Sequence, residues 1–303
     1  MKKYTSQEIK KFVSKPLFDE KIILNKDLNY PRISIVTPSY NQAQFLEKTI
    51  LSVLNQNYPN LEYIIIDGGS TDGSVEIIKK YEKYLSYWVS EKDNGQADAI
   101  DKGFKKTSGE ILAWLNSDDT YLPETFYKVM KIFTRNPEVD LIFGNIYIIN
   151  EHDKRIGELR FTEFDFDTLI YKGGNLHQAG TFWKKEIYER SGGIDSDYQF
   201  GLDYDFFCRV AKVGKLCHMR DFFANFRKHE NAKTSTISHI GDKEHKEIMR
   251  RYIPKDLNKW DLKYKKFICT SRRFYKYAMQ GDIDYILKVF IRRIIIIVRR
   301  NEY

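Results

Sequence analysis

Ile33-Ser34-Ile35-Val36-Thr37-Pro38-Ser39-Tyr40-Asn41 is an apolar run that ends in a proline-shaped polar turn. Runs of this form recur, and the recurrence decides the fold. One returns at Ile64-Ile65-Ile66-Asp67-Gly68-Gly69-Ser70-Thr71-Asp72-Gly73-Ser74 and another at Trp114-Leu115-Asn116-Ser117-Asp118-Asp119. A polar loop, Asp93-Asn94-Gly95-Gln96-Ala97-Asp98, lies between them. Strands are predicted over 32–37, 61–66, 86–90 and 110–115. Helical spacing of Phe45, Leu46, Ile50, Val53 and Leu54 predicts a helix over 44–55, and further helices follow over 74–84 and 96–106. Strand 61–66 is almost wholly apolar, as a strand covered on both faces should be. This β-α-β-α order specifies an α/β fold, Rossmann-like, with a mostly parallel sheet and helices on both faces. In open sheets of that kind ligands bind beyond the carboxyl ends of the strands. The acids therefore converge on one crevice, which suits a bound cation and a phosphate-bearing ligand.

Farther from this stretch the pattern loosens. Residues 1–31 read as a polar helical extension, with Pro31 opening the first strand. Pro123 is placed to start a helix, and 139–149 reads as a long strand. Beyond it come a helix over 165–171, a strand near 179–183, helices over 184–191 and 203–213, and strands near 215–219 and 222–227. Residues 236–303 read as a basic, mostly helical appendage. The 303 residues suffice for a full core, and 42% hydrophobic and 15% aromatic content exclude a disordered chain. The three cysteines, Cys208, Cys217 and Cys269, show no metal-ligand spacing and read as thiols of a reducing compartment. No signal-peptide core is seen, and no run reaches the ~18 apolar residues of a spanning helix. A cytoplasmic protein is expected, either free or at the inner face of the plasma membrane.

These residues resemble the family-2 glycosyltransferases, inverting enzymes with the GT-A fold. The likeness covers about 32–230 and rests on several elements in the family's order: Thr37-Pro38-Ser39-Tyr40-Asn41, Asp67-Gly68-Gly69-Ser70-Thr71-Asp72, the Asn94-Gly95 loop and Asn116-Ser117-Asp118-Asp119. His177-Gln178-Ala179-Gly180-Thr181-Phe182 and Gly192-Gly193-Ile194-Asp195 are similar to the acceptor-side segment, and Gly201-Leu202-Asp203-Tyr204-Asp205-Phe206 stands where the family has its catalytic Glu-Asp pair. The resemblance implies a GT-A domain over 32–235, with a donor half at about 32–145 and an acceptor half at about 146–235. It also implies a nucleotide-sugar donor (UDP-, GDP- or dTDP-linked), a saccharide or lipid-linked saccharide acceptor, and Mn²⁺ or Mg²⁺. The expected setting is synthesis of a bacterial surface polysaccharide such as O-antigen, capsule or exopolysaccharide.

By that resemblance Thr37, Pro38 and Tyr40 surround the nucleotide base; read alone, they are a proline turn with a packed tyrosine. Asp67 either accepts hydrogen bonds from the base or ribose or caps its own glycine turn. Asp93, Gly95, Gln96 and Asp98 are expected at the donor ribose or sugar, or as caps of the helix over 96–106. Asp118 is expected as the main metal ligand with Asp119 beside it, because hard cations take carboxylate and phosphate oxygens together. Asn116 replaces the first acid of the fuller Asp-x-Asp pattern. Asp203 is the expected general base, with Asp205 its rival; one such carboxylate supplies typically ~10²–10⁴-fold. His229 is a candidate third metal or diphosphate contact, Arg227 a diphosphate contact, and His177 and Gln178 candidates for the acceptor pocket or a structural pair.

The net charge is +8, and much of the excess lies in the last third. From 285 to 300 aliphatic blocks alternate with Arg292-Arg293 and Arg299-Arg300, which suits either an interfacial helix on anionic lipid or a helix packed on protein. No nucleic-acid motif accompanies the charge. The Gly-x-Gly-x-x-Gly fingerprint of a dinucleotide-dependent oxidoreductase is missing after the first strand. A glycoside hydrolase would need carboxylates flanking a glycosidic bond. A non-catalytic sugar or nucleotide binder would have little use for Asp118, Asp119 and Asp203 together.

Overall fold

The computed structural model describes residues 3–174, 176–289 and 291. Nine strands form one mixed sheet: β1 (Ile33–Ser39), β2 (Leu61–Asp67), β3 (Tyr87–Ser90), β4 (Ile111–Trp114), β5 (Thr120–Tyr121), β6 (Leu141–Asn150), β7 (Arg155–Leu159), β8 (Thr181–Lys184) and β9 (Leu216–Lys228). Their order is β3-β2-β1-β4-β8-β6-β9-β5, with β7 paired to β6. The first four are parallel, as the alternation requires. Ser39 lies opposite Asp67 and Asp67 opposite Ser90, so the carboxyl ends of β1, β2 and β3 are level. The apolar runs of β1 and β2 are buried along their whole length, as strands covered on both faces must be.

The second half departs from a uniform parallel sheet. β8 runs antiparallel to both β4 and β6, whereas β9 runs parallel to β6. The two strands expected over 215–227 are one. Arg220 and Asp221 gave the look of a break, but they bulge out where the register jumps from Gly144↔Met219 to Asn145↔Phe222. The amide of Asn145 holds that bulge by donating to the Arg220 carbonyl at 2.6 Å. Strands β5 and β7 had no sequence signal. The expected N-terminal helical extension is a pair of short helices, Ser6–Phe12 and Glu20–Asn25.

Behind the junction of β4 and β8 lies an aromatic block. Trp114 and Trp183 meet edge-on at 5.3 Å, and Phe206 reaches Trp183 at 5.0 Å. All three are essentially buried, and buried aromatics of this size dominate core energetics. The block fixes the helix Leu202–Val213, and with it Asp203, against the strand that precedes Asp118. The C-terminal helices Ser238–Tyr252 and Lys259–Met279 are docked on this core. Ile248 is fully buried, Tyr277 donates to the Arg160 carbonyl at 2.6 Å, and buried Arg160 pairs with Asp282 at 2.7 Å. The Arg292-Arg293 and Arg299-Arg300 blocks of the basic tail lie outside the described residues.

Candidate active site

The loops after β1 and β2 brace each other before any ligand is present. Asp67 is fully buried and accepts from the amides of Gly69 (3.1 Å) and Ser70 (2.8 Å) and from the hydroxyls of Ser70 (2.6 Å) and Ser90 (2.7 Å). Asn41, at φ 50°, accepts from the Thr71 amide at 2.9 Å, and its own amide donates to Ser70 Oγ at 2.8 Å. Asp72 joins two helix starts by accepting from the amides of Ala43 and Ser74 at 2.9 and 3.0 Å. Thr37 is buried against Tyr63, with 3.1 Å between hydroxyls, and Pro38 is buried with it. Tyr40 is the outward ring of this group, 61% exposed.

The next loop closes on these two. Asp93 accepts from the Gly95 amide at 2.8 Å, and Gly95 has φ 105°, a conformation glycine adopts without strain. A Cβ at Gly68 would sit 2.8 Å from the Asp93 carboxylate, so a larger residue there would push that carboxylate aside. Asp98 accepts from the Asn94 amide at 2.9 Å and pairs with Lys102 at 3.3 Å; that amide bond first, and Lys102 after it, hold its carboxyl below the ordinary range. Gln96 donates to Asn116 at 2.7 Å, linking the loop to the acids beyond β4.

Those acids divide into two layers. Asp118 Oδ2 faces His229 Nε2 at 3.0 Å. Asp119 is fully buried behind it; one oxygen accepts from the Arg227 amide at 2.9 Å and the other has no hydrogen-bond partner. Burial first, and the charge of Asp118 second, push its carboxyl well above the ordinary range. Asp119 therefore packs behind Asp118. Arg227 lies in the same inner layer. Its guanidinium is fully buried, donating to the backbone carbonyls of Asp118 (2.8 Å) and Asn150 (2.9 Å) and pairing with Asp153 at 2.7 Å. A diphosphate would feel it only through Asp118. The helix Ala43–Leu54 pins the same turn from below, where Thr49 Oγ1 donates to the carbonyls of Ser117 and Asp119 at 2.9 and 2.7 Å.

His177 accepts from the Ala179 amide at 3.3 Å through Nδ1, and its ring meets Phe226 at 4.7 Å. Burial lowers its pKa to about 4, against an opposing pull from Asp118, so the imidazole is neutral near pH 7. Gln178 is buried and donates to the Trp114 carbonyl. It ties the turn to β4, so the structural member of the two expected readings describes its side chain.

Asp203 and Asp205 are sharply different. Asp205 is fully buried and held by Arg209 at 2.8 Å and Arg251 at 3.3 Å. Asp203 is half-buried, accepts only from the Tyr204 amide at 2.7 Å, and makes no ion pair among the described residues. Loss of solvent raises its pKa, against smaller opposing effects that include His245 and Lys233. Burial lowers the pKa of nearby Lys233, against the charges of Glu244, Asp203 and Asp93. Sequence reasoning missed Glu244. Its carboxylate accepts from the amides of Gln199, Phe200 and Gly201 at 3.0, 2.9 and 2.7 Å, fixing the turn that starts the Asp203 helix. It lies in the supposed appendage, and no local motif marks it.

Together Asp118 and His229 could offer a carboxylate and an imidazole to a cation. No group of three metal-ligating side chains converges among the described residues. Such a donor set fits an ion whose remaining ligands are substrate oxygens and water.

A mixed sheet whose first four strands are parallel, with acids just beyond their carboxyl ends, is the architecture of the GT-A glycosyltransferases. The glycosyl transferase family 2 model matches residues 34–192, and the chain belongs to that family. A Haemophilus influenzae protein described as an uncharacterised glycosyltransferase is 27% identical over 245 residues, 76% of each chain. An uncharacterised glycosyltransferase of Mycobacterium tuberculosis is 31% identical over 199 residues, 65% of this chain and 75% of the relative. In structure, Staphylococcus aureus TarS 1–349, solved with UDP-GlcNAc, superposes with a TM-score of 0.60 at 16% identity, over 80% of this chain and 73% of that one. The chain spans 43% of the longer TarS structure. The Pyrobaculum calidifontis mannosyltransferase PcManGT, solved with GDP-Man and Mn²⁺, superposes over 95% of this chain and 86% of that one with a TM-score of 0.55 at 18% identity. Among the described residues no helix is long and apolar enough to cross a membrane.

Proposed function

We propose that this glycosyltransferase moves a sugar, with inversion, from a nucleoside-diphosphate donor to an acceptor hydroxyl, in a reaction that needs a divalent cation. Asp203 is the general base. The observation that carries this reading is the contrast between two neighbouring carboxylates: Asp205 is locked between two arginines, while Asp203 keeps an oxygen for a proton. A base whose pKa is raised toward the working pH transfers protons more effectively. A non-catalytic binder would need the donor rim but gains nothing from a half-buried, unpaired acid, which costs stability.

Tyr40 offers the nucleotide base a ring to stack on, and Asp67, Asp93, Gly95, Gln96 and Asp98 shape the ribose and sugar side. Asp118 and His229 would hold the cation, with Asp119 and Arg227 fixing Asp118 from behind. Bound there, the cation would offset the charge of the departing nucleoside diphosphate. An imidazole ligand favours Mn²⁺ over Mg²⁺. His177 borders the acceptor side, and the acceptor is a saccharide or lipid-linked saccharide of bacterial surface-polysaccharide synthesis, at the cytoplasmic face of the membrane.

The test is a panel of UDP-, GDP- and dTDP-sugars with Mn²⁺, read as donor binding and as slow donor hydrolysis. Asp203→Asn should lower turnover by ~10²–10⁴-fold and leave donor affinity nearly unchanged. Transfer at the wild-type rate by that variant would remove Asp203 from the chemistry. Failure of every donor to bind would end the nucleotide-sugar reading.

A further inference from the structure

The helix Lys259–Met279 carries a row of aromatic rings that nothing in the described chain covers. Trp260, Tyr264, Phe267, Phe274 and Tyr275 recur at the three- and four-residue spacing of one helix face. Trp260 is 77% exposed, and Tyr264, Phe267 and Tyr275 are 66%, 66% and 65% exposed. Packing on the other side sets the outward direction of the row. Cys269 and Tyr277 are buried there, and Lys265 lies over the Tyr171 ring at 5.0 Å.

The charge beside the rings has one sign. The segment KWDLKYKKFICTSRRFYKYAM holds seven Lys and Arg against a single acid, Asp261. Arg272 is used inward, pairing with Asp165 at 3.0 Å. Lys259, Lys263 and Lys266 are exposed next to the aromatic row, and none pairs with an acid among the described residues. An independent feature adjoins the helix start. A cavity of about 440 Å³ is lined by apolar Met249, Ile253 and Leu262 and by cationic Lys246, Arg250 and Lys255. Apolar walls with cationic side chains match an acyl chain ending in a phosphate.

We infer that this face docks on the surface of a bilayer containing anionic lipid, with the rings at headgroup depth and the lysines on the phosphates. Bare aromatic surface of this extent marks an interaction site. Tryptophan and tyrosine beside basic residues suit the lipid–water boundary, where ring and ammonium are both accommodated. A second copy of the chain fits less well, because it would set lysine against lysine. The inference uses no residue of the proposed active site, so it stands or falls separately from the reaction.

The test uses the full chain with vesicles of phosphatidylcholine alone or mixed with phosphatidylglycerol. Flotation should show binding to the mixed vesicles only, weakened by salt. Trp260 is the most exposed tryptophan, whereas Trp114 and Trp183 are buried. The emission of Trp260 should therefore shift to the blue and be quenched by brominated lipid, a readout that needs no variant. Combining Trp260→Ser, Tyr264→Ser and Phe267→Ser should lower partitioning roughly tenfold or more with an unchanged thermal melt. Combining Lys259→Glu, Lys263→Glu and Lys266→Glu should remove the preference for phosphatidylglycerol. Absence of binding to the mixed vesicles overturns the inference. So does wild-type binding by the aromatic variant, which would assign the contact to residues 292–303. A wild-type dimer that this variant turns into a monomer would overturn it in favour of self-association.

Discussion

The half expected to bind the donor, about 32–145, and the chain beyond it build their share of the site by different means. In the donor half each loop is saturated locally: Asp67, Asp72 and Asn41 satisfy backbone amides within their own turn or the adjoining one. The chain beyond it supplies side chains over long sequence distances. His229 reaches Asp118, Arg227 reaches behind Asp119, and Glu244 sets the start of the Asp203 helix. The first half is preorganised by its own sequence, while the second works only once the whole sheet has closed. The family model ends at residue 192, so Asp203, Arg227, His229 and Glu244 all lie beyond it.

The strongest challenge to this contrast is Arg227→Leu. It leaves Asp153 buried with Lys48 as its remaining cation and frees the Asp118 carbonyl. Breaking a buried ion pair costs about 3–5 kcal/mol, so urea unfolding should show a loss of that size together with weaker Mn²⁺-dependent donor binding. Normal metal titration in a folded Arg227→Leu protein would mean that the donor half holds Asp118 unaided.

Acid should separate the halves next. His218, at the start of β9, lies against Asn145 and Gln280 at 3.3 and 3.4 Å. Burial lowers its pKa from the ordinary 6.5 to about 4. Between those values the unfolded chain binds the proton and the folded one does not. Stability is therefore whole above about pH 6.5, falls as pH drops, and levels off below about 4, for a loss on the order of 3 kcal/mol. Amide exchange at pH 5 should quicken in β6 and β9 before β1 and β2, and His218→Gln should flatten the stability slope. Equal protection of both halves would remove the distinction.

The finest probe is Glu244→Gln. One amide oxygen replaces a carboxylate that receives three N–H groups, and the Asp203 helix start should loosen. Turnover should fall roughly tenfold with donor affinity kept, and the acid limb of the rate profile should move as the surroundings of Asp203 change. A change in the melting temperature alone would reduce Glu244 to a structural cap.

The legible part of the fold coincides with the local part. Apolar runs ending in Asp-Gly, Asn-Gly or Asn-Ser-Asp-Asp announce strands and tight turns because the same few residues form them. Strands β1 to β4 follow that reading closely. The bulge at Arg220 and Asp221 hid the unity of β9, since its polar pair is accommodated by Asn145, seventy-odd residues away. That Asp118 meets His229 while Asp119 turns inward was not legible, because adjacent acids look alike until the strand carrying Arg227 is laid beside them. Nothing in Asp203-Tyr204-Asp205 says which acid is free; Arg251, from a later helix, decides it. Glu244 carries no signature at all, for its partners are main-chain amides.

The undivided course of β9 has a corollary for how such enzymes diversify. Arg227 is the penultimate residue of β9 and His229 the first residue past its end, and both reach Asp118, so the strand delivers the two together. One residue inserted between Phe222 and Phe226 would turn both away together, unhooking Asp118 and emptying the space beneath it in a single step. Changes in length are thereby steered toward the start of the strand and its bulge, where the contacts of Arg227 and His229 with Asp118 can stay in place.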